Sequence, residues 1–227
     1  MGTPAKHNIK IEWSSDFAYA IGLITSDGWL CKGIPQIGFT SKDLEMMENF
    51  RKALGLKNVI GKHARGGETE KRYYAISFKS RKYYDFLLTI GLSPAKSKII
   101  KAVDVPEEFF PDFLRGLFDG DGTFYSFMDV RWPNSFVFKT SFASASPDFI
   151  FWLKEKLTKL YGVTGYIHKG AGVFNLEYTK RDTKKLFKVM YGGHNILFLK
   201  RKYDKIKAAF EYDAKLHPEK KVHAAVA

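Results

Sequence analysis

The sequence predicts an α+β fold built from two related halves, and three observations predict it. The stretch PDFLRGLFDGDGTF, Pro111–Phe124, has a fainter copy in DFAYAIGLITSDGW, Asp16–Trp29. Each is an apolar run with one internal glycine, closed by a small residue and then Asp-Gly, and the two aspartates, Asp27 and Asp121, lie 94 residues apart. The matches continue downstream: Phe39-Thr40-Ser41 answers Phe142-Ala143-Ser144, and Tyr74–Arg81 answers Phe174–Arg181 at an offset of 100. Self-similarity of this kind marks a duplicated structural unit. After each motif the apolar period changes from helical to alternating, giving strands that bury one face against helices.

Residues 1–13 read as an N-terminal extension, 14–105 as the first half, 106–212 as the second and 213–227 as a tail. Ser14 or Ser15 is positioned to cap a helix from Asp16 to Ser26. That helix is apolar almost all the way round, so it must be buried. Gly22 costs it about 1 kcal/mol of helix propensity against alanine, which makes sense if something approaches the backbone there. Gly116 holds the same place in the second motif. The two helices are therefore expected to pack together through these glycines. The terminal aspartates are less easily explained. Asp-Gly readily starts a turn, but a carboxylate at a helix C-terminus opposes the helix dipole. Two such carboxylates brought together repel unless a cation lies between them. That is a metal-site argument.

In Gln36–Thr40, Ile37 and Phe39 face one way, as do Tyr74, Ile76 and Phe78 in the next strand. Phe136, Phe138 and Phe142, then Phe174, Leu176 and Tyr178, do so in the second half. The opposite faces collect Gln36, Thr40, Ser77, Lys79, Lys139, Ser141, Asn175 and Thr179. Turn signals stand at Arg65–Glu68, Trp132–Ser135 and Lys169–Gly172, flanked by Lys62, Arg65, Lys71, Arg72, Arg131, His168 and Lys169. Beside a polar sheet face these read as a duplex-binding rim, since a β-ribbon fits the major groove. Leu44, Met47, Phe50 and Leu54 form one helical core stripe, and Phe149, Trp152, Leu153 and Leu157 another. A lysine-bearing link, Ser93–Pro106, joins the halves, and a closing amphipathic helix runs from Lys200 to about Tyr212.

Composition bounds the function. Across 227 residues, 37 Lys and Arg against 24 Asp and Glu leave +13, which calls for an acidic partner, nucleic acid or an anionic membrane surface. No apolar run approaches the ~20 residues of a membrane span, and the polar start of the chain does not read as a signal peptide. The single cysteine, Cys31, excludes an internal disulfide and any multi-cysteine zinc site. An intracellular location is expected, in prokaryotic cytoplasm or an organelle.

AIGLITSDG (Ala20–Gly28) and LRGLFDGDG (Leu114–Gly122) resemble the paired signature of the LAGLIDADG homing endonucleases. The second copy is close; the first is looser, with Thr25 in place of the usual first acid. The resemblance implies a duplicated αββαββα repeat with pseudo-twofold symmetry, two antiparallel sheet saddles and two central packed motif helices. It implies Mg²⁺ held by Asp27 and Asp121 with the carbonyls of Ser26 and Gly120; Mn²⁺ is expected to substitute, and Ca²⁺ to bind without supporting cleavage. Lys98 and Lys202 match the basic residue that the family places near the metals. Ser41 and Ser144 stand where relatives often carry a polar water-positioning residue. The implied activity is cleavage of both strands of a long asymmetric DNA site, leaving short 3′ overhangs, by a monomer with no small-molecule substrate. Two alternatives on the same fold stay open: an RNA maturase and a non-catalytic DNA-binding regulator. No splicing signature accompanies the motifs, so a free-standing or intron-encoded enzyme is expected rather than an intact intein.

Overall fold

The computed structural model describes residues 9–64, 69–132 and 135–217. The first half runs α1 (Ser15–Ser26), β1 (Gly28–Leu30), β2 (Gln36–Ser41), α2 (Leu44–Ala53), β3 (Gly61–His63), β4 (Tyr73–Lys79) and α3 (Arg81–Thr89). The second repeats it as α4 (Phe110–Asp121), β5 (Gly122–Met128), β6 (Phe136–Ser144), α5 (Pro147–Tyr161), β7 (Tyr166–Lys169), β8 (Phe174–Tyr178) and α6 (Lys180–Tyr191), then adds α7 (Lys200–Leu216). Each half is thus αββαββα with its own antiparallel sheet. The strand orders correspond, β1-β2-β4-β3 and β5-β6-β8-β7.

Local chemistry explains the boundaries. Ser14 caps α1 by accepting the Phe17 amide, Ser80 does the same for Tyr83 at α3, and Ser146 for Phe149 at α5. Gly162 ends α5 in the left-handed conformation, φ 58°, which a glycine adopts without a Cβ penalty.

The motif helices α1 and α4 form the centre, and the sequence explains how closely they meet. A Cβ on Gly22 would stand 2.2 Å from the Phe113 carbonyl oxygen; one on Gly116 would stand 2.1 Å from that of Tyr19. Only hydrogen fits at either point. Every residue from Phe17 to Thr25 is buried, which is why α1 has no polar side. Two cross-helix hydrogen bonds fix the register: Ser15 Oγ donates to Asp112 Oδ1 (2.6 Å), and Tyr19 Oη donates to Asp119 Oδ2 (2.8 Å). Arg115, 1% exposed, spends its guanidinium on the carbonyls of Leu197 and Met190 and on Asp112. It ties α4 to the segment between α6 and α7.

Two expectations need correction. Leu44 is not part of the α2 core stripe: it opens the helix and is 41% exposed, whereas Met46, Met47, Phe50 and Leu54 are buried. The closing helix does not stop near Tyr212. It continues to Leu216, because Asp213 is buried and ion-paired with Lys180 and Lys184 of α6.

Candidate active centre and nucleic-acid face

Asp27 and Asp121 arrive at the same end of the central helix pair. Each motif helix stops beside its aspartate because the following Gly28 or Gly122 turns directly into a strand with no room for a side chain: a Cβ on either would meet the preceding helical turn at 2.3–2.8 Å. The two ends nearly touch. A Cβ on Gly120 would lie 1.9 Å from Ser26 Oγ and 3.1 Å from Asp27 Oδ2. The small residue before each aspartate is therefore a steric requirement of the pairing. Asp121 keeps surface open to solvent, yet the protein around its carboxyl raises its pKa by desolvation, with Lys96 and Lys202 opposing the shift.

Those two lysines are pseudo-symmetric. Lys202 Nζ donates to the carbonyls of Phe118 (2.6 Å), Gly120 (3.2 Å) and Gly122 (2.6 Å). Lys96 Nζ donates to the carbonyls of Gly28 (2.6 Å) and Ser26 (3.4 Å), the positions equivalent to Gly122 and Gly120. Burial pushes both ammonium groups down to about 8 against the opposing pull of Asp27 and Asp121, with Asp119 also holding Lys202 up and Arg201 pushing it down. The counterpart of Lys202 is therefore Lys96. Lys98, expected from sequence, is exposed on the short 3-10 turn Lys96–Lys98. Lys-Ser-Lys and Lys-Arg-Lys are out of register between the halves, because the links before them differ in length.

The other acid of the second motif, Asp119, is buried and structural. It accepts from Tyr19 Oη and from the Leu199 amide, 2.8 Å each, and burial raises its pKa to about 6. Thr25, at the equivalent point of α1, instead returns its hydroxyl to the Ile21 carbonyl. Ser41 and Ser144 play matched local roles, accepting the amides of Asp43 and Ser146. Ser144 additionally lines a cavity of about 270 Å³ with Ser26, Lys96, Ser97 and Asp121.

A divalent cation suits the donors present. Two carboxylates and main-chain carbonyls form an all-oxygen set, and the carbonyls of Ser26 and Gly120 carry the longest of their lysines' contacts. No cluster of three or more His, Cys, Asp or Glu side chains occurs among the described residues, so carbonyls and water would complete the shell.

Strand register assigns each sheet residue to a face, and the open faces lie away from the helices. Paired residues share a face. Gln36 opposite Lys79, Gly38 opposite Ser77, and Thr40 opposite Ala75 form the open face of the first sheet. Trp29, unremarked in the sequence, lies across Gly38, where any Cβ would meet its indole at 2.2 Å. In the second sheet the open face carries Tyr125 opposite Lys139, Phe127 opposite Val137, Ser141 opposite Glu177, Ala143 opposite Asn175, and Tyr166 opposite Glu177.

Several expected contact residues stand elsewhere. Lys62 pairs with Tyr74 and Lys169 with Phe174, on the helix-facing parity. Thr179 is the N-cap of α6, beyond the strand. Ser141 is on the open face but only 8% exposed. Arg72 and Arg131 are exposed at turns and ion-paired with Glu70 and Asp129. His168 is exposed, its Nε2 4.0 Å from Glu177. Arg65 lies outside the described residues. Glu177 was missed in sequence although its parity with Asn175 was visible.

No family model matches the chain, and no curated protein matches it in sequence. Solved structures do match in fold. The full-length DUF199/WhiA protein from Thermatoga maritima superposes with a TM-score of 0.56 at 14% identity, over 89% of this chain and 63% of that one. The chain thus spans under two thirds of that neighbour's length. The N-terminal LAGLIDADG domain of DUF199/WhiA gives a TM-score of 0.53 at 15% identity, covering 87% of this chain and 88% of the domain. The homing endonuclease I-DmoI, in complex with DNA and Ca, gives 0.55 at 17% identity, covering 86% of this chain and 97% of the enzyme. These likenesses establish the class: this is a protein of the duplicated LAGLIDADG fold. No helix among the described residues is long and apolar enough to cross a membrane.

Proposed function

We propose that the protein is a site-specific DNA endonuclease that hydrolyses both strands of a duplex with the help of a divalent cation. The observation that carries this reading is the convergence of Asp27 and Asp121 at one end of the paired motif helices, each attended by a buried lysine. Two carboxylates at the end of the helix pair, each attended by a lysine, suit cation-assisted hydrolysis of a phosphodiester better than DNA binding alone. Fold alone does not decide activity; the paired acids are what favours hydrolysis. Of the two alternatives, the maturase reading has no observation of its own in its favour.

Asp27 and Asp121, with the Ser26 and Gly120 carbonyls, would hold the cation, Mg²⁺ by preference. When bound, such an ion lowers the pKa of water and neutralises phosphate charge. The chain's own residues supply the remainder. Lys96 and Lys202, neutral or charged near pH 8, sit where they can donate to a phosphate oxygen or exchange a proton with nearby water. Ser144 offers a hydroxyl to the cavity beside Asp121. The paired helices hold the two acids at a fixed separation, so that one acid serves each strand. Gln36, Thr40, Ser77, Lys79 and Asn175 would contact bases or backbone, with Arg72, Arg131 and His168 at the rim.

The test is incubation with a randomised duplex library in Mg²⁺, with Ca²⁺ as control and the ends sequenced. Discrete cuts at one asymmetric motif, with short 3′ overhangs and only in Mg²⁺, are expected. Tight binding without cuts means a regulator; no duplex binding turns attention to structured RNA.

A further inference from the structure

The two open faces differ in chemistry. The first sets hydrogen-bonding groups, Gln36, Thr40, Ser77 and Lys79, around Trp29. The second has one lysine in its middle, and that lysine is occupied. Lys139 Nζ donates to Glu177 Oε1 at 2.6 Å and to Tyr166 Oη at 2.7 Å. The Tyr125 hydroxyl donates to the other carboxylate oxygen of Glu177. Glu177 is 5% exposed and the Lys139 side chain 23% exposed, so the pair is largely covered. A free lysine here would address guanine O6 and N7, and a free glutamate the cytosine amino group. Bound to each other, they do neither.

Around Phe127, toward the β5–β6 turn, what remains outward is apolar. Phe127 is 45% exposed and stacks on Tyr125, with ring centroids 6.4 Å apart and planes 9° from parallel. Val137 sits directly across from Phe127, and Tyr166 is 42% exposed beyond Lys139. In the major groove one group suits such a surface: the C5-methyl of thymine.

We propose that the open face of the second sheet recognises thymine methyl groups through Phe127, Val137 and the Tyr125 ring, so that the half of the DNA target lying under β5 and β6 is selected for thymine. This rests on the reading of the chain as a duplex-binding protein. The Lys139–Glu177 pair is a specificity device: it withdraws two central charges from base recognition and presents rings instead.

The experiment is selection of bound duplexes from a randomised library in Ca²⁺, followed by replacement of thymine with deoxyuridine in one half of the enriched site at a time. The Phe127→Ala variant assigns the halves, since it alters preference only where Phe127 lies. Each buried methyl is worth roughly one CH₂, or about fourfold in affinity. Deoxyuridine in the Phe127 half is therefore expected to weaken wild-type binding about fourfold per methyl removed, and to leave Phe127→Ala less affected. The same exchange at the outer positions of the other half is expected to matter less. Absence of thymine enrichment in the Phe127 half, or equal binding of thymine and uracil there, overturns the proposal while leaving duplex binding intact. Enrichment of no duplex at all overturns the DNA-binding reading and this proposal with it.

Discussion

Replacing Gly22 by alanine tests the central helix contact through the sign of the effect. In an ordinary helix the exchange stabilises by about 1 kcal/mol, because alanine is the better helix former. At Gly22 the new methyl would stand 2.2 Å from the Phe113 carbonyl oxygen, 2.7 Å from the Leu117 amide nitrogen and 2.9 Å from the Gly116 Cα. All three are backbone atoms, so no side chain can swing aside. Ordinary contact needs about 3.5 Å, so the helices must separate by roughly 1 Å along their whole buried seam. Overpacking of this kind costs about 1–3 kcal/mol, and the loosened contacts on both sides of the seam place it near the top of that range. After the propensity gain, a net loss of about 1–2 kcal/mol is expected, read as a lower midpoint in urea at unchanged slope. Gly116→Ala, facing the Tyr19 carbonyl, is expected to behave alike. A variant as stable as the wild type, or more so, would refute the close backbone contact and with it the geometry that brings Asp27 and Asp121 together.

Three further outcomes follow from the site. Lys96→Met is expected to slow cleavage at least tenfold while Lys98→Met leaves it within about twofold; the reverse order would return the role to the lysine chosen from sequence. Lys96 has a folded pKa of about 8 against an ordinary 10.5, so between those values the unfolded chain holds a proton that the folded chain has lost. Stability from this group therefore rises with pH across that window. Measured in urea with chelator present, the wild type is expected to gain on Lys96→Met between pH 8 and 10, and a difference that stays flat would show that the ammonium is not buried. Arg115→Met strands the Leu197 and Met190 carbonyls and leaves Asp112 with Ser15 alone; a loss of about 3–5 kcal/mol is expected, and one below 1 kcal/mol would show that the guanidinium is dispensable to the joint between α4 and the end of α6 with its following link.

Much of the fold was legible because duplication writes the same physics twice. Gly22 and Gly116 each look like an unexplained weakness in a good helix; together they locate a contact. The same holds for the two Asp-Gly endings, which alone would be turns. Alternation revealed β2, β4, β6 and β8, whose apolar residues face helices. The edge strands β1, β3 and β7 are too short to show a period, and β5, with its Phe-Tyr-Ser-Phe-Met run, hid the aromatic patch inside what reads as core. Lys96 escaped because helix-following links carry no period, so their register cannot be counted. Lys62 and Lys169 were expected at the rim by charge; both are exposed on edge strands, at the register positions of Tyr74 and Phe174. Glu177 shows the same limit differently: a buried acid on an open sheet face makes sense only once Lys139 and Tyr125 are seen across the strands.

Asp27 and Asp121 are assigned a joint role in cutting both strands. It is tested most directly by comparing wild type, Asp27→Asn and Asp121→Asn on the duplex recovered from the library, measuring binding in Ca²⁺ and strand-resolved cleavage in Mg²⁺. Both variants are expected to bind like the wild type and to lose double-strand cleavage. Undiminished cutting of both strands by either one would contradict that assignment.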